Sequence, residues 1–565
     1  MKDLLGDLVP RPRTGRMMKG RLRWKEASVH RCQSQGFAPE GYSLLVEPEG
    51  ISIMASTDAG FFRAEQTLHQ LRRLTKVTCP CLSIEDEPRF RVRGYMLDIS
   101  RCKVPRMDHL FRMVDLLALF KYNQLQLYTE HTFAYAGHER VWQEASPMTA
   151  DEIRELDDYC AARHIELVPN QNTLGHMERW LRHPEYHHLA ESPDGFHHPV
   201  SGWRPNGSVL CPGDDSTRFI KGLLDQLLPC FRSGQVHVGC DEPWELGRGR
   251  SEGRVDQSGR HAVYRDHLLA LHGILSGKGK RMLFWSDELR EDPLRIIGLP
   301  RDVIPVVWGY EADHPFDEEC AVYSDNDYQF LVAPGDGSWN SHCGRLGIAA
   351  RNIQRAAQAA LDHGAEGMLL TSWGDNGHQQ VWPAQLPGLI LFAAAAWNQE
   401  NDLPVPVAGS LDRLVFLDEK EMLGTLWERF AKLDSLIPVA INPRNTSFTF
   451  DALFESPDRV RRAFRGHSSD DLFPALKEVE HCQRLLTRAG PACIDADWIL
   501  RETGLALELA LAGLRRASAI AQGHEPVENA QTWKVLLEEY PRLWLLRNRS
   551  GGLEESLQLL ERARV

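Results

Sequence analysis

Residues Gln235–Leu246 read QVHVGCDEPWEL: a short run of β-branched and apolar residues delivers two adjacent carboxylates, Asp241 and Glu242, and Pro243 and Trp244 follow at once. Consecutive strand side chains point to opposite faces, so both acids face one pocket only if the strand stops there. Pro243 supplies such a stop, because it ends ladder pairing and biases Glu242 towards an extended or turn conformation. In a half-buried site two such charges raise each other's pKa. The stretch is either a solvated strand end or part of an active site, and its surroundings decide.

Seven similar apolar runs lie between Arg93 and Asn398 or just before them: VRGYMLDI, NQLQLY, IELVPN, RMLFW, VIPVVW, QFLVA and GMLLTSW. Amphipathic stretches such as MDHLFRMVDLLALFK, TADEIRELDDYCAARH and RNIQRAAQAALDHG separate most of them. Strand runs alternating with helical patterns predict parallel βαβ units, and eight of them predict a closed (β/α)₈ TIM barrel over residues 89–402. The short spacing between VIPVVW and QFLVA predicts a short or degenerate helix there. Before the barrel, GYSLLVEPEGISIMASTDAGFFRAEQTLHQLRR reads as two alternating strands and a helix, a small α+β domain over residues 1–88. After the Pro-x-Pro of LPVPV, Leu, Ala, Glu and Arg recur at helical spacing, predicting an all-α domain over residues 403–565.

A barrel requires its chemistry at the C-terminal ends of its strands. Strand one ends in Asp98 and Arg101, strand two in Tyr128, Glu130 and His131, and strand three runs into Asn170, Asn172 and His176. Strands five, six and eight end in Trp285, Trp308 and Trp373, and the loop after strand seven carries Trp339 and Asn340. Several tryptophans on one rim suit a ligand with apolar faces and a small acyl group, such as a sugar ring bearing an acetamido group. Arg101 suits two vicinal hydroxyls or a salt bridge to Asp98. His176 suits either a partner for the acid or a satisfied core imidazole. Two adjacent acids do not flank a glycosidic bond as the usual nucleophile and acid do. They suit a division of labour in which one protonates the leaving oxygen and the other orients a nucleophile carried by the substrate.

The bulk properties exclude other classes. A net charge of −13 disfavours a non-specific nucleic-acid binder. No apolar run is long enough to span a membrane, and no signal-like segment opens the chain, so a cytoplasmic location is expected. The 12 Cys are scattered without a disulfide framework. The segment HPEYHHLAESPDGFHHP matches no zinc spacing and HExxH is absent, so no metal ligand and no cofactor is assigned.

With RGYMLDISR, VPNQNTLGH, HVGCDE and TSWGDN in order, preceded by GYSLLVE, GISIMAS and GFFRAEQTL, the chain resembles glycoside hydrolase family 20, the β-N-acetylhexosaminidases. The resemblance implies an exo-acting, retaining, substrate-assisted hydrolase of terminal β-linked GlcNAc, or GalNAc, that needs no metal or organic cofactor. It implies that Glu242 is the general acid and then the base, and that Asp241 orients the 2-acetamido group as its oxygen attacks C1. Arg101 would grip ring hydroxyls, Trp285, Trp308 and Trp373 would wall the sugar and its acetamido group, and Asp375 would bind outer hydroxyls.

The chain departs from the family after strand two, where NQLQLYTEHTF replaces H-W-H-L-x-D-D; Glu130 or His131 then stands in for the missing partner of His176. Asn170-Gln171-Asn172 replaces E-I-D, and Trp339 or Asn340 replaces a tyrosine after strand seven. The rival readings are a non-catalytic amino-sugar-binding protein and a metal-dependent barrel hydrolase using the His-rich loop. The helical C-terminal part suggests a homodimer, and RNRSGG near its end suggests a loop reaching an active site.

Overall fold

The computed structural model describes residues 4–199, 202–290, 293–398, 405–442, 445–524 and 530–563. The expected boundary at 402/403 lies outside the described residues. The chain opens with a five-stranded sheet: β1 (Thr14–Arg23), β2 (Val29–Gln33), β3 (Tyr42–Glu47), β4 (Gly50–Ala55) and β5 (Thr78–Asp86), in the order β1-β5-β3-β4-β2. β3 and β4 alternate buried and outward residues, as the sequence predicts, and helix Asp58–Thr75 follows on an N-cap from Thr57. β1 and β2 escape prediction because they are basic edge strands with almost every side chain in solvent.

All eight predicted barrel runs form strands: β6 (Val92–Asp98), β7 (Gln124–Thr129), β8 (Glu166–Gln171), β11 (Gln235–His237), β12 (Arg281–Trp285), β13 (Ile304–Trp308), β14 (Leu331–Ala333) and β15 (Gly367–Ser372). They pair in parallel and close, β15 returning to β6 in register Gly367↔Val92 through Ser372↔Leu97. The helix between β13 and β14, Phe316–Ser324, has only 9 residues. Between β8 and β11 an insertion carries a hairpin, β9 (Phe196–His198) and β10 (Gly202–Arg204).

Buried ion pairs fasten the small sheet to the bottom of the barrel. Lys121 Nζ bonds Asp86 at 2.7 Å and the Tyr42 hydroxyl at 2.8 Å, while Glu40 lies 2.7 Å from both Arg63 and Arg93. Charges at the N-terminal ends of barrel strands belong to stability rather than chemistry.

Helices from Val407 to Ala563 form the last part of the chain. They pack into the same apolar core as the outer barrel helices and reach the barrel's upper rim on two sides. On one side the Asn445 carbonyl accepts from Asn340 Nδ2, and Ser447 N donates to the Asn340 carbonyl. On the other, Arg549 donates to the carbonyls of Pro105 and Pro147, and Gly552 packs against the backbone of Cys102, next to Arg101. RNRSGG thus supports the loop after β6. Among the described residues no helix is long and apolar enough to cross a membrane, and no cluster of three metal-binding side chains occurs.

Candidate active site

β11 ends at His237, and the backbone then turns sharply, with φ 68° at Gly239, 73° at Cys240 and 48° at Glu242. Cys240 and Glu242 stand in the left-handed region, on the order of 1–3 kcal/mol each for a non-glycine residue. Glu242 is therefore not in the extended region that a following proline favours. Only glycine fits at 239, where a Cβ would lie 1.8 Å from Asn172 Oδ1, and at 175, where it would lie 2.3 Å from the Asp241 carbonyl oxygen. The turn brings both neighbouring carboxylates to one imidazole: His176 Nε2 lies 3.2 Å from Asp241 Oδ2 and 3.7 Å from Glu242 Oε2.

Environment separates the two acids. Burial raises Glu242 above the usual carboxylate range, and the Asp241 charge adds to it although His176 opposes. Burial acts on Asp241 as well, but the His176 and Arg101 charges overcome it and hold Asp241 low. His176 is itself pushed up to about 9: burial disfavours its charge, and Asp241 more than offsets this. The result is one carboxyl that holds its proton more firmly than usual and one that gives it up more readily, the usual arrangement of an acid beside an electrostatic partner.

Arg101 lies 2.9 Å from Asp98, 3.3 Å from Asp375, 3.6 Å from Glu130 and 3.4 Å from His176 Nδ1. Its guanidinium sits 4.9 Å from the ring centroids of both Tyr128 and Trp373. One nitrogen thus makes the salt bridge to Asp98, the second of the two sequence alternatives, while the fork borders the cavity. Glu130, not His131, approaches His176, at 4.0 Å from Nδ1. Arg101, Glu130, His176, Glu242 and Asp375 line a cavity of about 400 Å³, within the size range of small-molecule sites.

The tryptophans divide. Trp308 is half-buried, Trp373 keeps 7% of its surface, and Trp285 and Trp339 keep 1% and 2%; all four pack with Tyr128 and Tyr310 in one cluster at the top of the barrel. Asn340 spends its amide on Asn445 and Asn376 and holds the helical part to the rim.

Two residues that the sequence reading missed enter here. Asp287, just past β12, accepts the Glu242 backbone N–H at 3.0 Å and the Trp308 indole N–H at 3.3 Å; burial, with the Asp241 charge adding, pushes it up to about 7. Tyr310 stacks on Trp308 with centroids 5.2 Å apart, stands edge-on to Trp339 at 5.1 Å, and accepts the Trp373 indole N–H at 2.8 Å. Each stands two residues past a strand-ending tryptophan, which is the one signal that could have found it.

Known proteins resemble this chain in sequence and in fold. A family model described as glycosyl hydrolase family 20, catalytic domain, matches residues 90–342, and the family's domain 2 matches residues 8–87. A β-hexosaminidase of Porphyromonas gingivalis is 29% identical over 290 residues, 45% of this chain and 36% of that protein. Human hexosaminidase D is 27% identical over 361 residues, 59% of this chain and 69% of that protein. The match spans only about a third of the Porphyromonas protein's length. Among solved structures, an exo-β-N-acetylglucosaminidase of Vibrio harveyi bound to N-acetylglucosamine superposes with a TM-score of 0.61 at 18% identity, covering 73% of this chain and 77% of that one.

Proposed function

The chain belongs to glycoside hydrolase family 20, and from that premise we propose that it is an exo-β-N-acetylhexosaminidase. It removes terminal β-linked GlcNAc, with GalNAc as the alternative sugar, with retention and through an oxazolinium intermediate. The single observation that carries the reading is that the chain neighbours Asp241 and Glu242 both reach one imidazole, His176. A direct nucleophile would stand across the bond from the acid, about 5–5.5 Å away.

In the first step the substrate's acetamido oxygen attacks C1 and the bond from C1 to the leaving oxygen breaks. Glu242 gives its proton to that oxygen. Asp241, ionised, accepts the acetamido N–H and balances the positive charge of the oxazolinium ring. In the second step water attacks C1 while Glu242 takes the water's proton, which restores the amide and the acid. Arg101 and Asp375 hold the outer ring hydroxyls. Tyr310, rather than Trp339 or Asn340, supplies the hydroxyl that meets the acetamido carbonyl, because Trp339 has no hydroxyl and packs edge-on against the Tyr310 ring, and Asn340 is engaged elsewhere.

An aryl β-GlcNAc glycoside tests the reading against a non-catalytic sugar binder. Release of the aryl group, the β-anomer as first product, and inhibition by a thiazoline mimic of the intermediate are expected. A covalent glycosyl-enzyme trapped on a side chain would overturn it.

A further inference from the structure

A second cavity, of about 50 Å³, lies where the segments that follow β6 and β15 meet helices Ala496–Ala521 and Ala530–Arg547. On the order of 10–15 Å³ holds one water, so this space takes a few waters or one small ion. Polar groups without partners surround it. Among the described residues, neither amide atom of Gln379, nor Gln380 Oε1, nor the Trp382 indole nitrogen has a hydrogen-bond partner. All three residues line the cavity and are buried. Buried polar atoms rarely go unpaired, and several around one space point to a bound species that satisfies them. Lys103 lines the cavity too: its Nζ donates to the Gln380 carbonyl at 2.7 Å and lies 5.1 Å from the Trp544 ring centroid. An ammonium carries three donors, so Lys103 has N–H groups to offer beyond that bond.

Charge favours an anion over water alone. Arg547 holds both oxygens of Glu502, at 2.7 and 2.9 Å, and reaches Asp495 at 2.8 Å, while Arg112 stands 3.8 Å from Asp495. Those two cations balance those two acids. Asp98, at the cavity's other edge, is paired with Arg101. The imidazoles add no charge: burial, with Arg547 and Lys103 beside it, pushes His109 well below its usual value, and burial takes His378 to about 3. Lys103 is the surplus cation. Glu502 is the acid that acts on it most strongly, yet both Glu502 oxygens are held by Arg547, and burial pushes the ammonium down to about 7. An uncompensated charge among buried groups is destabilising, and one monovalent anion compensates it.

The same segments border the sugar site. Lys103 N donates to the Arg101 carbonyl at 3.0 Å, His378 Nδ1 lies 3.2 Å from that carbonyl, and Gln380 Nε2 donates to the Trp373 carbonyl at 2.6 Å. We propose that this cavity binds one monovalent anion of halide size between Lys103, Gln379 and Trp382, and that the anion braces the segments carrying Arg101 and Trp373. The site itself is independent of the assignment of Glu242 as the acid.

Crystals of the full chain equilibrated with sodium bromide test the site. An anomalous bromide peak within hydrogen-bond reach of Lys103 Nζ is expected in the wild type, lost in Lys103→Met and weakened in Gln379→Leu, which keeps the ammonium. Water density there without an anomalous peak overturns the proposal. An aryl β-GlcNAc glycoside tests the bracing, with sodium chloride replacing sodium gluconate at constant ionic strength. KM falls about fivefold, the lower end of ordinary coupling between two sites, with a saturable dependence on chloride that Lys103→Met abolishes. A wild-type KM indifferent to chloride beside a clear bromide peak overturns the bracing. Protein that does not hydrolyse the glycoside overturns the hydrolase reading, and the bromide peak still decides the anion site.

Discussion

His176→Asn removes the charge shared by the two acids while respecting the backbone. His176 has φ 58°, in the left-handed region that asparagine tolerates better than most residues. Its rise from 6.5 to about 9 in the folded protein corresponds to about 3 kcal/mol, at roughly 1.4 kcal/mol per pH unit. Because the folded value is the higher one, this stabilisation is fully present below pH 6.5 and fades as pH rises through about 9. The variant therefore loses about 3 kcal/mol in weakly acidic solution, and the deficit closes above about pH 9. The same charge holds Asp241 low, so its removal moves the acidic limb of kcat/KM upward in pH. Denaturant unfolding at several pH values and a pH–rate profile on an aryl β-GlcNAc glycoside read the two effects. An unmoved acidic limb, together with a stability deficit equal at low and high pH, would refute the reasoning.

Three further outcomes follow from the same geometry. Glu242→Gln lowers kcat by about 10²–10⁴-fold on alkyl and sugar leaving groups, and far less on an activated aryl group that departs without a proton. Asp241→Asn keeps the shape but removes the charge facing the oxazolinium; it slows the first step by about 10²–10³-fold, read as the rate of aryl release. Arg547→Met leaves buried Glu502, 2.7 Å away, without its ion-pair partner and leaves Asp495, 2.8 Å away, with only the more distant Arg112 at 3.8 Å; it costs about 3–5 kcal/mol in denaturant unfolding, as expected when one partner of a buried pair is lost.

The barrel was legible because its strands are short apolar runs ending in chemistry, and all eight runs formed strands. The positions of Asp241, Glu242, Arg101 and His176 followed from those strand ends. What makes them a site did not. The turn through Gly239, Cys240 and Glu242 defies the conformational preference that Pro243 imposes on its neighbour, and tertiary packing against Asn172 and Asp287 decides it. Trp285 and Trp339 illustrate a second limit: a tryptophan at or past a strand end reads the same whether it is almost wholly buried, as these two are, or half-buried like Trp308. The grip of the helical part on the rim, through Asn340, Ser447 and Arg549, joins residues a hundred or more positions apart and leaves no local pattern. The hairpin β9–β10 was hidden in a His-rich segment whose composition suggests only a solvated loop or a metal site.

If the attacking atom is the substrate's own amide oxygen, a β-glucoside, with a hydroxyl at C2, has no nucleophile to offer. Comparing kcat/KM for matched aryl β-GlcNAc and β-glucoside substrates isolates that oxygen with the same leaving group and the same acid. The account predicts hydrolysis of the GlcNAc substrate and a glucoside rate at least about 10³-fold lower, the scale on which a positioned intramolecular nucleophile acts. Equal rates on the two sugars would contradict it.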